Sequence, residues 1–322
     1  MSKNSELLYD AVIIGGGAAG LSAAQTLARA RRSVAVIDSG EPRNAPAEGV
    51  HAFITRDGMN PLELLRIARA EAEGYGAVMI PGRVSGASGS QGSFSLTLDD
   101  GTRVSGRRVL VATGLRDDLP AIPGLPELWG KDVLHCPFCH GWEVRDQAIG
   151  IIGAGPVSVH QALMFRQWSG NITLFLNDLA DPAEEELEQL AARGIRIVEG
   201  AIQELRVQDG RLKGVALASG EVPIDALVVG PKVHARLEGL AGLGLAAAPH
   251  PSGMGDYLVA DESGATSAPG IWAAGNITDI KAQVLPAAAG GTWAAVNLNN
   301  SLMAEELERD VAAYKESAAA RV

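Results

Sequence analysis

Residues 10–38 restrict this chain more than any other stretch. Asp10-Ala-Val-Ile-Ile14 is an apolar run of buried-strand type, Gly15-Gly-Gly17-Ala-Ala-Gly20 is a glycine turn, and residues 21–31 have a helical pattern. Ser33-Val-Ala-Val-Ile37 is a second apolar run, and it ends on Asp38, 18 residues after the last glycine. Together they predict a βαβ unit with G-x-G-x-x-G at its first turn. Gly15, Gly17 and Gly20 let the backbone approach a pyrophosphate and pack helix against strand. Ala18 and Ala19 belong to the turn that leads into a helix whose N-terminus faces the pyrophosphate charge, and Asp38 stands where a carboxylate accepts from ribose hydroxyls. Arg43 and Asn44 follow as candidates for a phosphate or adenine contact, set against the plainer reading of a solvated loop.

A second unit of the same kind starts 138 residues later. Ala148-Ile-Gly-Ile-Ile152 leads into Gly153-Ala-Gly155-Pro-Val-Ser158, then a helix to about residue 167 and the strand Asn171-Ile-Thr-Leu-Phe-Leu176. Ser158 stands in the third glycine's place, and a small residue there still allows close packing. At 322 residues, with 47% hydrophobic and 20% charged residues, the chain has enough material for two cores. Further strands are expected at 93–98, 107–112, 211–217, 226–229 and 270–274, with a turn at Asp99-Asp-Gly101 and a helix from about 287 to 299. Residues 115–120 and 247–256, rich in Pro, Gly or Asp, are the expected hinges.

The net charge of −11 disfavours nucleic acid and anionic membranes as partners. No apolar run is long enough for a bilayer, and residues 1–9 lack the charged and apolar regions of a signal peptide, so a cytoplasmic setting is expected. The chain has only two cysteines, in Cys136-Pro-Phe-Cys139. A structural cross-link is unusual in that compartment, which leaves redox or metal chemistry. The run His135-Cys136-Pro-Phe-Cys139-His140 offers four nominal zinc ligands. Adjacent residues rarely wrap one tetrahedral ion, however, and no second Cys pair exists, so no metal is expected and the redox reading is preferred.

The motif order is first fingerprint, Ala112-Thr113-Gly114, CxxC, second fingerprint, then Ala274-Gly275-Asn276. Over essentially the whole chain it resembles the low-molecular-weight thioredoxin reductase family. The resemblance implies an α/β fold of two Rossmann-like dinucleotide-binding domains (three-layer ββα/αβα), the second inserted into the first. Residues 1–117 and 248–322 would form the FAD-binding domain, and 118–247 a pyridine-nucleotide-type domain carrying the CxxC. It also implies a homodimer, with FAD held by the first fingerprint, Thr113, Gly114, Gly275, Asn276 and the Ala282-Gln283-Val284 segment, where Gln283 and Val284 would meet the isoalloxazine. Cys139 would be the flavin-proximal thiol and Cys136 the one that exchanges with substrate.

Departures from that family narrow the reading. The usual Cys-Ala-Thr-Cys-Asp is Cys136-Pro-Phe-Cys139-His140 here, Asn276 replaces an acid, and His160-Gln161 replaces a pair of glutamates. Where NADPH-dependent members carry basic residues for the 2′-phosphate, this chain has Asn177-Asp-Leu-Ala-Asp-Pro-Ala-Glu-Glu-Glu186, five acids in nine positions. Those acids would repel the phosphate. The segment Cys136-Pro-Phe-Cys139-His140-Gly-Trp-Glu143 is similar to that of gliotoxin- and holomycin-type dithiol oxidases, which use no pyridine nucleotide.

The expectation is therefore a FAD-dependent thiol–disulfide oxidoreductase. It would close a disulfide in a small-molecule dithiol or a thioredoxin-like protein, with O2 as acceptor. Cys136 and Cys139 would be the redox pair and His140 an acid–base, against a plainer role for His140 in orienting the motif. His135 is undecided between chemistry and packing. Trp142 is expected in the core, and Phe138 as a shield over the disulfide. One alternative is an NAD(P)H-dependent reductase, with NADH held through a ribose acid such as Asp178. Another is a flavin redox sensor that does not turn over.

Overall fold

The computed structural model describes residues 8–153, 155, 157–177, 179 and 182–320. The chain opens as expected, with β1 (Leu8–Ile14), α1 (Ala18–Arg29) and β2 (Val34–Asp38). It continues through α2 (Pro61–Gly74), β3 (Val78–Pro81), β4 (Val84–Ser90), β5 (Ser93–Leu98) and β6 (Arg103–Val111). The strands lie in the order β3-β2-β1-β6-β5-β4, parallel from β3 to β6 and antiparallel through the hairpins β4–β5 and β5–β6. Ala11–Ile14 are buried on both faces, as an apolar run in a covered parallel sheet must be. α2 begins at Asn60, whose Oδ1 accepts from the Leu62 and Glu63 amides, with Pro61 at the first helical position.

The second unit contains β7 (Leu115–Asp118), α3 (Leu125–Leu128), β8 (Val133–Leu134), α4 (Pro137–His140), β9 (Ala148–Ile152), α5 (Ser158–Phe165) and β10 (Asn171–Phe175). After these come α6 (Glu184–Ala192), β11 (Arg196–Val198), β12 (Ile202–Gln208), β13 (Arg211–Leu217), β14 (Gly220–Val222), β15 (Ala226–Val228) and β16 (Lys232–Ala235). The parallel sheet β11-β10-β9-β15-β8 has two different faces. Ile149 and Ile151 of β9 pack with Val159, Ala162 and Phe165 of α5. Ile152 points the other way, into a core shared with Leu205, Leu212 and Val215 of the antiparallel β12-β13-β14 sheet. Strand alternation thus builds helix, sheet and sheet into three layers. The chain returns through β17 (Ala247–Pro249), β18 (Asp256–Leu258) and β19 (Ile271–Ala273), which pairs with β6, and ends in α7 (Val284–Ala319). The second unit is thereby inserted between two parts of the first. Among the described residues no helix is long and apolar enough to cross a membrane.

Several sequence expectations are corrected. The segment 115–120 lies where the chain crosses between the units, as expected, but it does so as strand β7, paired antiparallel with β16 in a two-stranded ribbon. The expected hinge at 247–256 contains β17 and its turn into β18. Leu240, Leu243 and Leu245, assigned above to the second unit, pack in the core of the first sheet with Val84, Phe94 and Leu96. The last helix runs twenty residues past the expected end at 299. Its extension is anchored by Glu305 and Glu306, which pair with Arg108, Arg107 and Arg32. Ala154, Pro156, Asp178 and Asp181, which figured in the nucleotide readings above, lie outside the described residues.

Candidate active site: a dinucleotide cleft that ends on a disulfide

The β1–α1 turn forms one end of a cavity of about 340 Å³. Gly15 has φ +107°, and a Cβ there would lie 2.3 Å from the Ala112 carbonyl oxygen. At Gly20 a Cβ would lie 1.9 Å from the Gly15 oxygen. At Gly17 it would meet nothing within 4 Å, so the backbone there borders open space. Gly17 caps α1 with extended backbone, and neither a side-chain cap nor an acid occupies the first turn. The first amides of α1, from Ala18 and Ala19 onward, are thus left to whatever anion the cleft receives. Asp38 closes this end. Its Oδ1 accepts from the Gly16 amide at 3.0 Å and its Oδ2 from Arg69 at 2.8 Å.

The other expected cofactor residues line the same cavity. Arg43 commits its guanidinium to both oxygens of Asp117, at 2.8 and 2.5 Å, while Asn44 lines the wall beside it. Thr113 donates its hydroxyl to the Arg236 carbonyl at 2.6 Å, and Gly114 turns the chain at φ +72°. Gly275, at φ +85°, lies where a Cβ would be 2.8 Å from that of Ala19. Asn276 donates from Nδ2 to the Ala282 carbonyl at 2.7 Å, which fixes the chain just ahead of Gln283, the N-cap of α7, and Val284.

The opposite end of the cavity is the Cys136–Cys139 disulfide, spanning the start of α4 with Pro137 at its first helical position. Gln283 donates from Nε2 toward both sulfurs, at 3.5 Å to Cys136 and 3.6 Å to Cys139. His140 lines the cavity, and its two ring nitrogens are buried without a hydrogen-bond partner. Burial holds its pKa below the ordinary histidine value; Glu143 opposes this, His51 adds to it, and the nearby Cys136 backbone opposes it weakly. His135 is pushed down to about 4, first by burial and then by the Arg43 charge, and its Nδ1 is also unpartnered. Both imidazoles are therefore neutral at pH 7.

Two residues depart from expectation. Trp142 is 65% exposed, with the Arg145 guanidinium 4.3 Å over its ring, rather than in the core. Phe138 is 60% exposed and packs edge-on against Trp168 at 5.6 Å, facing outward rather than covering the disulfide. Cys136, Cys139, His140 and Glu143 follow helical spacing on one side of the motif, and Phe138 and Trp142 share another. Sequence reading missed His51, which approaches Glu143 and Asp57 at 3.4 Å each. It also missed Arg69 on Asp38, and the reach of the Gln283 side chain. His51 lies in a loop with no periodic signal, and the other two contacts join segments far apart in the chain.

The second fingerprint has a different local form. Gly153 lies outside the left-handed region that Gly15 occupies. A Cβ on Gly153 would lie 2.3 Å from the Leu176 oxygen and 2.8 Å from the Leu179 Cβ. α5 starts from Val157 in helical rather than extended backbone. Glu184 and Glu185 are exposed in the first turn of α6, and Glu186 accepts from the Ala183 amide.

A dinucleotide cleft that ends on a closed Cys pair, with a neutral histidine beside it, defines a nucleotide-dependent disulfide oxidoreductase. The chain belongs to the family described as pyridine nucleotide-disulphide oxidoreductase, whose sequence profile matches residues 9–292. It is 35% identical over 283 residues to the thioredoxin reductase tcpT of Claviceps purpurea, covering 84% of this chain and 86% of that one. It is 31% identical over 315 residues to the thioredoxin reductase aclD of Aspergillus oryzae, covering 93% and 98%. Among solved structures, HlmI superposes with a TM-score of 0.89 at 43% identity, over 96% of this chain and 97% of that one. An oxidoreductase from Agrobacterium tumefaciens gives 0.87 at 37% identity, over 92% and 99%. FAD is the cofactor of this thioredoxin-reductase-like family. The open side of Gly17 and the uncapped start of α1 fit its pyrophosphate.

Proposed function

We propose that the chain is a FAD-dependent dithiol oxidase that closes a disulfide in a small-molecule dithiol, with O2 as the final acceptor. The observation that carries this reading is His140. It is a neutral imidazole at the C-terminal end of the CxxC turn, lining the cavity with both nitrogens unpartnered. Such a group can take the proton from an incoming thiol. The substrate thiolate then attacks Cys136, the Cys136–Cys139 bond breaks, and its electron pair stays on the Cys139 sulfur. The second substrate thiolate displaces Cys136, which releases the cyclised substrate and leaves both cysteines reduced. When bound, FAD supplies the sink for these two electrons and their transfer to the acceptor.

Residues 1–117 and the C-terminal segment form the FAD-binding domain in this reading. The start of that segment moves from 248 to about 236, because Leu240, Leu243 and Leu245 pack under the first sheet. The family resemblance also implies a homodimer, and the sequence pattern leaves a cytoplasmic setting as the expectation. A protein substrate of thioredoxin type is the variant in which the same thiol chemistry serves a larger partner.

The main competitor is an NAD(P)H-dependent thioredoxin reductase. Against it stand the Leu179 side chain packed at Gly153 and the acidic start of α6. A flavin redox sensor would exchange its disulfide without multiple turnover. Anaerobic addition of a dithiol, NADH or NADPH to the purified flavoprotein, followed through the flavin absorbance, separates the three. The oxidase bleaches quickly with dithiol alone, regains its colour in air and turns over repeatedly. Fast bleaching by a nicotinamide would replace this reading with the reductase, and a single stoichiometric exchange would replace it with the sensor.

A further inference from the structure

Gln283 lies on the FAD side of the molecule, 147 residues from Cys136 and 144 from Cys139, and its amide nitrogen reaches both sulfurs almost equally. The position is fixed from two sides. Gln283 is the N-cap of α7 in extended backbone, and the Ala282 carbonyl just ahead of it is held by Asn276. The amide has two hydrogens to give and meets two sulfurs. A disulfide sulfur is a weak, neutral acceptor. A thiolate is an anion, and hydrogen bonds to ionised acceptors are roughly twice as strong as neutral ones.

We infer that Gln283 is a catalytic residue whose side-chain amide stabilises the thiolate released when the Cys136–Cys139 disulfide opens. As an incoming thiolate bonds to one sulfur, the S–S bond breaks and its electron pair remains on the other, 3.5–3.6 Å from the donor in the closed state. The near-equal distances let the same amide serve whichever cysteine leaves. Because the contact strengthens on reduction, it favours the reduced pair. By linkage it lowers the thiol pKa and makes the disulfide the stronger oxidant, as a dithiol oxidase requires. The inference rests on the Cys pair being the redox centre, as in the proposed function, and does not depend on which acceptor is used.

The test uses fully reduced, anaerobic holoenzyme of wild type, Gln283→Leu and Gln283→Glu. Alkylation by iodoacetamide is followed against pH, and the disulfide–dithiol balance is read in dithiothreitol buffers. For Gln283→Leu the apparent thiol pKa rises by about one unit, leaving roughly tenfold less thiolate at neutral pH. The disulfide becomes about tenfold harder to reduce, equivalent to about 30 mV for two electrons. Gln283→Glu, of nearly the same shape, raises the pKa further wherever its carboxylate is ionised, because like charges repel. If Gln283→Leu does not retain FAD, the Gln283→Glu comparison decides. Wild-type alkylation and redox curves in a variant that keeps its FAD would overturn the inference and leave the proposed function standing. A wild-type disulfide that no dithiol buffer opens would overturn both.

Discussion

Two adjacent glycines in α7 should respond to alanine with opposite signs. A Cβ on Gly291 would lie 2.0 Å from the Ala19 carbonyl oxygen, 2.6 Å from its carbon and 2.8 Å from its Cα. All three are backbone atoms of the first turn of α1, so no side-chain rotation relieves the overlap. Restoring ordinary contact requires α7 and α1 to separate by more than about 1 Å, and the turn from Gly15 to Gly17 moves with α1. Overpacking of this kind costs about 1–3 kcal/mol. Gly290 is the built-in control, since the nearest atom to its Cβ would be the Gly275 nitrogen at 3.9 Å. Replacing a helical glycine by alanine without steric conflict stabilises by about 0.5–1 kcal/mol. Thermal unfolding followed by flavin fluorescence, with the FAD-to-protein absorbance ratio of the purified proteins, gives both readouts. Gly291→Ala should melt several degrees lower and carry less FAD, whereas Gly290→Ala should melt slightly higher with full FAD. A Gly291→Ala protein as stable and as yellow as wild type would refute the claim that helix contact sets the cofactor turn.

Three further outcomes are expected. Burial holds His135 neutral down to about 4, whereas the unfolded chain protonates it near 6.5. The unfolded state binds the extra proton between those values, so stability falls as pH drops from about 6.5 to 4. The effect reaches about 3 kcal/mol, and His135→Gln should flatten that slope in melts taken against pH. His140 is also held below the ordinary value by burial, so dithiol-driven flavin bleaching should be flat through neutral pH and slow as pH falls below that lowered pKa. His140→Gln should remove this acid limb and lower the rate, about 10²-fold or more for a lost acid–base group. Glu305→Ala leaves the fully buried Arg108 with only Ser301 and backbone oxygens. Stripping the partner from a buried charge costs several kcal/mol, discounted here to about 2 because Glu305 is 41% exposed, and chemical denaturation reads the loss.

Some of the molecule is legible from local sequence. Residues 10–38 specify strand, turn, helix and strand because apolar periodicity, three glycines and a terminal acid act within one short segment. Their sterics show it, with Gly15 and Gly20 leaving no room for any Cβ. The CxxC and its following histidine were equally readable, since a disulfide between residues three apart needs only a local turn. Where the reading erred, local composition misled it. The Pro- and Gly-rich segment 247–256 resembled a hinge, yet residues 247–249 and 256–258 satisfy their backbone groups by pairing with each other. The continuation of α7 was present in the helix-forming residues after 300, but its anchor is a set of arginines nearly 200 residues earlier in the chain.

By itself, then, the sequence determined the two nucleotide-type units, their order and the reactive pair, because each is encoded within a few turns of chain. Only the tertiary structure decided what surrounds that pair. Burial strips both ring nitrogens of His140 of partners, His51 comes across from a loop of the first unit, and Gln283 arrives from the start of the last helix. A side chain's protonation and its hydrogen-bond partners depend on which distant segments exclude water from it. That is a property of the packed molecule and not of any stretch of residues.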